Sequence, residues 1–217
     1  MQPWKTIEAV DTDEGKLELR QRGTKDFLIV IDGRVLMTSS ERRSEEALST
    51  LALAKLANRS PRVLIGGLGM GYTLRAALDV LPATAHVVVA ELTPVVAAWC
   101  KGPLAVLTNS AVSDPRVTIV IDDVSKVIAR AKREYDAILI DLYEGPNPAT
   151  QAADDPFYSR AALVRTHAAL VRDGVFAVWS EDADDAFAKR FAAAGFSVST
   201  HRFGATRRHF VYLGLKS

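Results

Sequence analysis

Residues Val63 to Gly71 read Val-Leu-Ile-Gly-Gly-Leu-Gly-Met-Gly, and an acid, Glu91, closes the next apolar run. An apolar strand, a glycine turn and a distant carboxylate together restrict the chain to folds that bring a nucleoside to a strand end. Gly67, Gly69 and Gly71 alternate along the turn, and their missing side chains let backbone N–H groups approach a ligand. Tyr72 to Leu81 then reads as a helix with Leu74, Ala77, Leu78 and Leu81 on one face. Glu91 ends the run Val87 to Ala90, and a carboxylate there can bind a ribose diol through both oxygens. A glycine turn alone is also an ordinary strand-to-helix connection. The acid at this distance makes the nucleoside reading the stronger of the two.

A dinucleotide site prefers G-x-G-x-x-G, with the last glycine inside the first helical turn. From Gly67 the pattern here is G-x-G-x-G, and Tyr72, Thr73 and Leu74 supply no such glycine. The spacing resembles the first motif of S-adenosylmethionine-dependent transferases rather than an NAD site, and the lysine of a P-loop is missing.

Size and composition set further bounds. With 217 residues, 48% of them apolar, the chain has enough for one well-buried α/β domain and a small appendage. The division expected is a β element over residues 1–40 and a nucleoside-binding domain over 41–217. A net charge of +1 gives no reason to expect nucleic acid as a partner. Cys100 is the single cysteine, so no internal disulfide forms, and its apolar surroundings point to a buried helix residue rather than a nucleophile. No stretch approaches the ~20 apolar residues of a membrane span, and the start is unlike a signal peptide. The expectation is a soluble cytoplasmic protein.

Residues 1 to 38 alternate apolar and polar positions, and Asp32-Gly33 is a strong hairpin signal, so a small antiparallel sheet is expected there. Thr38-Ser39-Ser40-Glu41 offers a capping box for a helix carrying Ala47, Leu48, Leu51 and Ala54. After Pro61, strands at Val63 to Ile65, Val87 to Ala90, Val117 to Ile121, Ala137 to Ile140 and Val175 to Ser180 alternate with helices, which argues a parallel sheet. Phe196 to Thr200 and Phe210 to Leu213 are joined by a short loop and read as an antiparallel hairpin. The fold expected is α/β: a doubly wound, Rossmann-like, seven-stranded and mainly parallel sheet of the methyltransferase type, with the N-terminal antiparallel appendage.

Ligands in such sheets bind beyond the carboxyl ends of the strands, where the acids are therefore informative. Asp123, with Asp122 as its substitute, can accept a hydrogen bond from an adenine amino group, or can cap the helix starting at Val124. Asp141 follows a strand too apolar to keep an acid for solubility. It can accept a proton from an amine nucleophile or hold an ammonium substrate; the alternative is a turn cap. His86, His167, His201 and His209 show no metal-ligand spacing. His201, Arg202, Arg207, Arg208 and His209 read as a solvated hairpin tip, and Trp99 and Trp179 as core.

From Pro61 to about Leu170 the chain resembles the spermidine synthase family of aminopropyltransferases. The segments that carry the resemblance are Gly67 to Gly71, Glu91, Asp114-Pro115-Arg116-Val117, Asp123 and Asp141-Leu142-Tyr143-Glu144-Gly145-Pro146-Asn147-Pro148-Ala149, with Ile31-Asp32-Gly33 upstream and Phe157-Tyr158 downstream. The resemblance implies aminopropyl transfer from decarboxylated S-adenosylmethionine, as co-substrate and without a metal, to a small-molecule amine. It implies Asp141 as catalytic acid/base, Glu144 as an amine ligand and a homodimer. Three departures stand out: Met70 replaces the aspartate of the glycine motif, Leu36 replaces a glutamine, and Ser44-Glu45-Glu46 falls near a Tyr-His-Glu. A methyltransferase using intact S-adenosylmethionine, which brings its own carboxylate, is the alternative that Met70 fits more easily. A non-catalytic nucleoside-binding relative is the third reading.

Overall fold

The computed structural model describes residues 2–142, 145–147, 152, 154–204 and 209–216. Strands β1 (Lys5–Thr12), β2 (Gly15–Arg22), β3 (Asp26–Ile31) and β4 (Arg34–Thr38) form an antiparallel sheet in that spatial order. Asp32 and Gly33, at φ 44° and 80°, make the left-handed two-residue turn that matches strand twist. Alternation puts Leu17, Leu19, Phe27 and Ile29 on one face, where they share a core cluster with Met70 and Trp99. The Trp99 indole also donates to Glu8 Oε2 at 2.8 Å, tying β1 to the rest of the chain.

Helix α1 (Arg43–Leu53) follows, without the expected capping box. Its N-cap is Arg42, and no side chain caps it. The Ser39 hydroxyl instead accepts from the Phe27 N–H at 2.9 Å and donates to the Lys25 carbonyl at 3.1 Å. Its backbone N–H bonds the Phe27 carbonyl as well. The capping residue of the box, Thr38, is itself the last residue of β4, paired with Leu28, and α1 begins only at Arg43.

The second sheet has the order β10-β11-β9-β8-β5-β6-β7. Its strands are β5 (Arg62–Gly66), β6 (His86–Glu91), β7 (Val117–Ile121), β8 (Tyr135–Ile140), β9 (Leu170–Ser180), β10 (Phe196–Phe203) and β11 (His209–Lys216). The first five run parallel, and β11 lies antiparallel between β9 and β10. Helices α2 (Tyr72–Val80), α3 (Pro94–Lys101), α4 (Ala105–Thr108), α5 (Val124–Arg130), α6 (Arg160–Ala169) and α7 (Asp185–Ala193) connect or flank the strands. Two buried apolar clusters result, the first including Val63 and Ile65, the second Leu64, Phe176 and Phe187. The expected α/β class, the seven strands and the closing hairpin are all present.

Strand β9 begins at Leu170, not at Val175. Tyr135 pairs with Leu170 and Ala137 with Val175, so the register slips across Arg172-Asp173-Gly174, where Asp173 sits at φ 60°. Turn-forming residues inside a strand disguised its first half. Because β5 pairs with both β6 and β8, the chain reverses its lateral course at β5. The crevice opened there, beyond the strand ends, is where such sheets take ligands.

Candidate active site

At the end of β5, Gly67, Gly69 and Gly71 all have positive φ, at 89°, 51° and 83°. Gly67 is the constrained one: a β-carbon there would stand 2.4 Å from the Asp141 carbonyl oxygen. Its N–H bonds the Ala90 carbonyl at 2.9 Å, and the Asp141 N–H bonds the Gly66 carbonyl at 2.9 Å. The glycine loop is thereby wedged between the ends of β6 and β8.

Glu91 ends β6 and is buried. Its Oε2 accepts from the Leu68 N–H at 2.9 Å and its Oε1 from the Thr93 N–H at 2.8 Å. Burial raises its pKa, while these backbone bonds oppose the rise. A carboxylate has about four lone-pair sites, so Glu91 keeps acceptor capacity beside the Leu68, Thr93 and Leu92 N–H groups. Glu91 is thus also a brace that shapes the glycine loop, a role the sequence alone did not reveal.

At the end of β7, Asp123 Oδ1 caps α5 by accepting from the Ser125 N–H at 2.8 Å. Asp122 accepts from the Asp123 N–H and pairs with Arg130, which holds its carboxyl below the usual range. Asp123 is the cap, Asp122 is committed to Arg130, and both border the cavity. The Asp114 to Val117 stretch has a different role. Arg116 grips both oxygens of Asp114 and the Leu81 carbonyl at the far end of β7, pulling the Asp114 carboxyl down to about 2.

Asp141 follows β8. Its Oδ2 accepts from the hydroxyl of Thr73 on α2. Burial and the charge of Glu45 push its carboxyl up to about 7, against the lowering effect of Thr73. Glu45, in the first turn of α1, is buried; burial raises its pKa, while the Ser44 hydroxyl, donating to Oε2 at 2.7 Å, lowers it. Neighbouring Glu46 turns outward to Arg42 at 3.3 Å. Glu144 lies outside the described residues, as do Arg207 and Arg208.

Gly67, Gly69, Glu91, Asp122, Asp123, Asp141 and Glu45 all border one cavity of about 790 Å³. That volume suits a small-molecule ligand. Met70, in contrast, is fully buried in the core, and Met37 lines the wall beside Gly69 instead. Cys100 is buried, and burial pushes its thiol up to about 12, in line with an inert core residue. Among the described residues no group of three metal-ligating side chains comes together.

Two expectations are corrected here. Trp179 is only half-buried and lines the cavity, its Nε1 without a hydrogen-bond partner among the described residues. His209 is not at a solvated tip: it lies against Trp179, ring centroids 5.2 Å apart, with Nδ1 3.0 Å from the Ser44 hydroxyl. The signal for it was available, since strand alternation places His209 on the face of buried Val211 and Leu213. Thr73 carried no comparable signal, because its role arises from α2 packing beside the end of β8.

The fold and the cavity's position define the class: a doubly wound α/β protein of the methyltransferase type, with its ligand crevice at the strand ends. Residues 41–186 match the spermine/spermidine synthase domain, and the chain belongs to that family. It is 29% identical over 192 residues to a polyamine aminopropyltransferase of Shewanella oneidensis, covering 81% of this chain and 33% of that protein. A polyamine aminopropyltransferase of a Ruegeria species is 27% identical over 164 residues, covering 76% of this chain and 56% of the relative. The chain therefore spans between a third and somewhat over half the length of these two curated relatives. Putrescine N-methyltransferase 2 of Nicotiana attenuata is 26% identical over 170 residues, covering 77% of this chain and 45% of that protein. The crystal structure of a spermidine synthase from Thermotoga maritima superposes with a TM-score of 0.79 at 21% identity, over 98% of this chain and 73% of that one.

Proposed function

We propose that the chain transfers an aminopropyl-type group from decarboxylated S-adenosylmethionine, or a close analogue of it, to a small amine. One observation carries the reading: the glycine loop and the Asp141 carboxyl form adjoining walls of a single cavity, in backbone contact through Gly67. In this reading Gly67, Gly69 and Gly71 leave room for the nucleoside, Glu91 takes the ribose hydroxyls and the second oxygen of Asp123 takes the adenine amino group. Asp141 takes the proton that the attacking amine must lose, and Glu144 is a further ligand for that amine. Family membership and the names of the curated relatives support transfer to an amine of the polyamine type. A homodimer, a cytoplasmic setting and the division at residue 40 belong to the same proposal.

A second reading, methyl transfer from intact S-adenosylmethionine, has one observation in its favour. Position 70 supplies no carboxylate for a bare donor ammonium, because Met70 is packed in the core. The match to a putrescine N-methyltransferase accords with it. The segment from Asp141 to Ala149 keeps aminopropyl transfer first. Thermal shift tests the shared premise, because a ligand of the native state raises its melting temperature. Methylthioadenosine or S-adenosylhomocysteine is expected to stabilise the protein; stabilisation by NAD alone refutes both readings.

A further inference from the structure

Two threonines inside helices spend their hydroxyls locally. Thr50 in α1 and Thr166 in α6 donate to the carbonyl four residues back, those of Glu46 and Ala162, each at 3.1 Å. Thr73 does not. It is the second residue of α2, and four residues back lies Gly69 in the glycine loop, so no helical carbonyl stands beneath it. Its buried hydroxyl donates instead to Asp141 Oδ2. The Glu45 carbonyl, at 3.5 Å, is the weaker competitor for that one proton.

Both partners of this bond are fixed through their backbones. The Thr73 carbonyl accepts from the buried Ser49 hydroxyl at 2.7 Å, which ties α2 to α1. The Asp141 N–H is held by the Gly66 carbonyl at 2.9 Å. The hydroxyl therefore acts on the one freedom left, the rotation of the Asp141 carboxyl. Asp141 is half-buried at the cavity wall, and among the described residues only its Oδ2 has a hydrogen-bond partner. Glu45 on α1 and Tyr158 ahead of α6 are the titratable groups whose charges couple to it. Arg34, Glu41, Glu181 and His209 border the same cavity, as do Glu14 and the acids after β6 and β7.

We propose that Thr73 is the positioning residue of the proton transfer: it holds Oδ2 of Asp141 and leaves Oδ1 as the oxygen that takes the amine's proton. The proposal rests on the aminopropyl-transfer reading. Asp141 enters the step ionised. The neutral amine nitrogen forms a C–N bond as the donor's C–S bond breaks, that electron pair staying on sulfur. One N–H bond of the resulting ammonium then breaks, and its proton joins Oδ1. Thr73 donates to Oδ2 throughout, so the carboxyl does not turn as its charge is lost. Once the products leave, Oδ1 returns the proton to water. A carboxylate free to rotate would present its proton-accepting oxygen only part of the time, and small misplacements of a catalytic group are costly. Thr73 follows Gly71 by two residues, so the segment that leaves room for the nucleoside also orients the base.

The test compares wild type, Thr73→Val, Thr73→Ala and Thr73→Ser over roughly pH 5 to 9, a range that brackets the Asp141 value of about 7. Turnover uses a diamine with decarboxylated S-adenosylmethionine. The ¹³C carboxyl shift of Asp141, assigned against Asp141→Asn, is followed without substrates. Removing a donor to the charged form raises the pKa of a carboxyl. Thr73→Val and Thr73→Ala are therefore expected to titrate Asp141, and to place the rising limb of kcat/KM, at higher pH than wild type. They are expected to lose ~10-fold or more in kcat with little change in amine KM, while methylthioadenosine still raises their Tm. Thr73→Ser is expected to recover the rate and the wild-type limb. An unmoved Asp141 titration, or wild-type kcat in both variants that lack the hydroxyl, overturns the proposal. A wild type that transfers to no amine fails the aminopropyl reading, and the Asp141 titration, which needs no turnover, then decides whether Thr73 holds the carboxyl.

Discussion

A β-carbon at position 67 would stand 2.4 Å from the carbonyl oxygen of Asp141. The residue expected to cradle the nucleoside and the one expected to take the amine's proton are thus a single backbone contact apart. Gly67→Ala must distort one of them and must also hold φ near 89°. It is expected to lower Tm by roughly 5 °C or more and to abolish stabilisation by methylthioadenosine. Gly33→Ala is the control: its φ is 80°, with nothing within 4 Å of the new carbon. It should cost only the left-handed strain of about 1–2 kcal/mol and leave ligand binding unchanged.

Glu91 separates binding from bracing. Glu91→Ala leaves the Leu68 and Thr93 N–H groups without their acceptor, at about 1–3 kcal/mol for each that stays buried. The variant should therefore lose stability as well as nucleoside affinity. Glu91→Gln keeps one acceptor oxygen and should fold while binding methylthioadenosine about tenfold more weakly, as expected for loss of a charged hydrogen bond. Calorimetric titration alongside thermal melts distinguishes the two. Equal, unchanged stability in both variants would contradict the brace.

The frame of this site is legible in the chain because period and punctuation agree: apolar runs followed by acids place Glu91 and Asp123 beyond β6 and β7, and Asp141 beyond β8 on the other side of β5. The missed features are those that depend on two distant segments meeting. The Asp141 carboxyl is raised by burial and by the charge of Glu45 from α1, and it is bonded by Thr73 from α2; no local pattern announces either influence. The capping box fails because Thr38, its capping residue, is still the last residue of β4, paired with Leu28, and its hydroxyl lies 3.1 Å from that of Ser40. The first half of β9 is hidden in the sequence because Asp173 and Gly174 are turn residues that here occupy a strand irregularity.

Asp141 also sets a pH dependence of stability. Its carboxyl rises from an ordinary 3.8 to about 7 on folding, chiefly through burial. Raised in the folded state, it contributes stability that is complete below about pH 4 and is lost as pH climbs through 7. Asp141→Asn should therefore melt higher than wild type near pH 8, by roughly 5 °C, with the gain shrinking toward pH 4. Melting curves across that range check the sign. A variant less stable than wild type at the alkaline end would contradict it.

Glu45→Gln removes the charge that helps hold Asp141 neutral. Asp141 must be ionised to act as a base, so the rising limb of kcat/KM against pH should move to lower pH in this variant. The direction follows from the Coulombic cause alone. An unmoved limb, or one displaced upward, would show that Glu45 does not face the base.

The central claim is tested most directly by a paired product assay on wild type and Asp141→Asn. The protein is incubated with decarboxylated S-adenosylmethionine and a panel of diamines, and in parallel with the intact donor and the same amines. The account predicts methylthioadenosine and an aminopropylated amine from the decarboxylated donor, with the rate falling ~10²-fold or more in Asp141→Asn while methylthioadenosine still stabilises that variant. S-adenosylhomocysteine and a methylated amine from the intact donor alone, or no product from either, would contradict it.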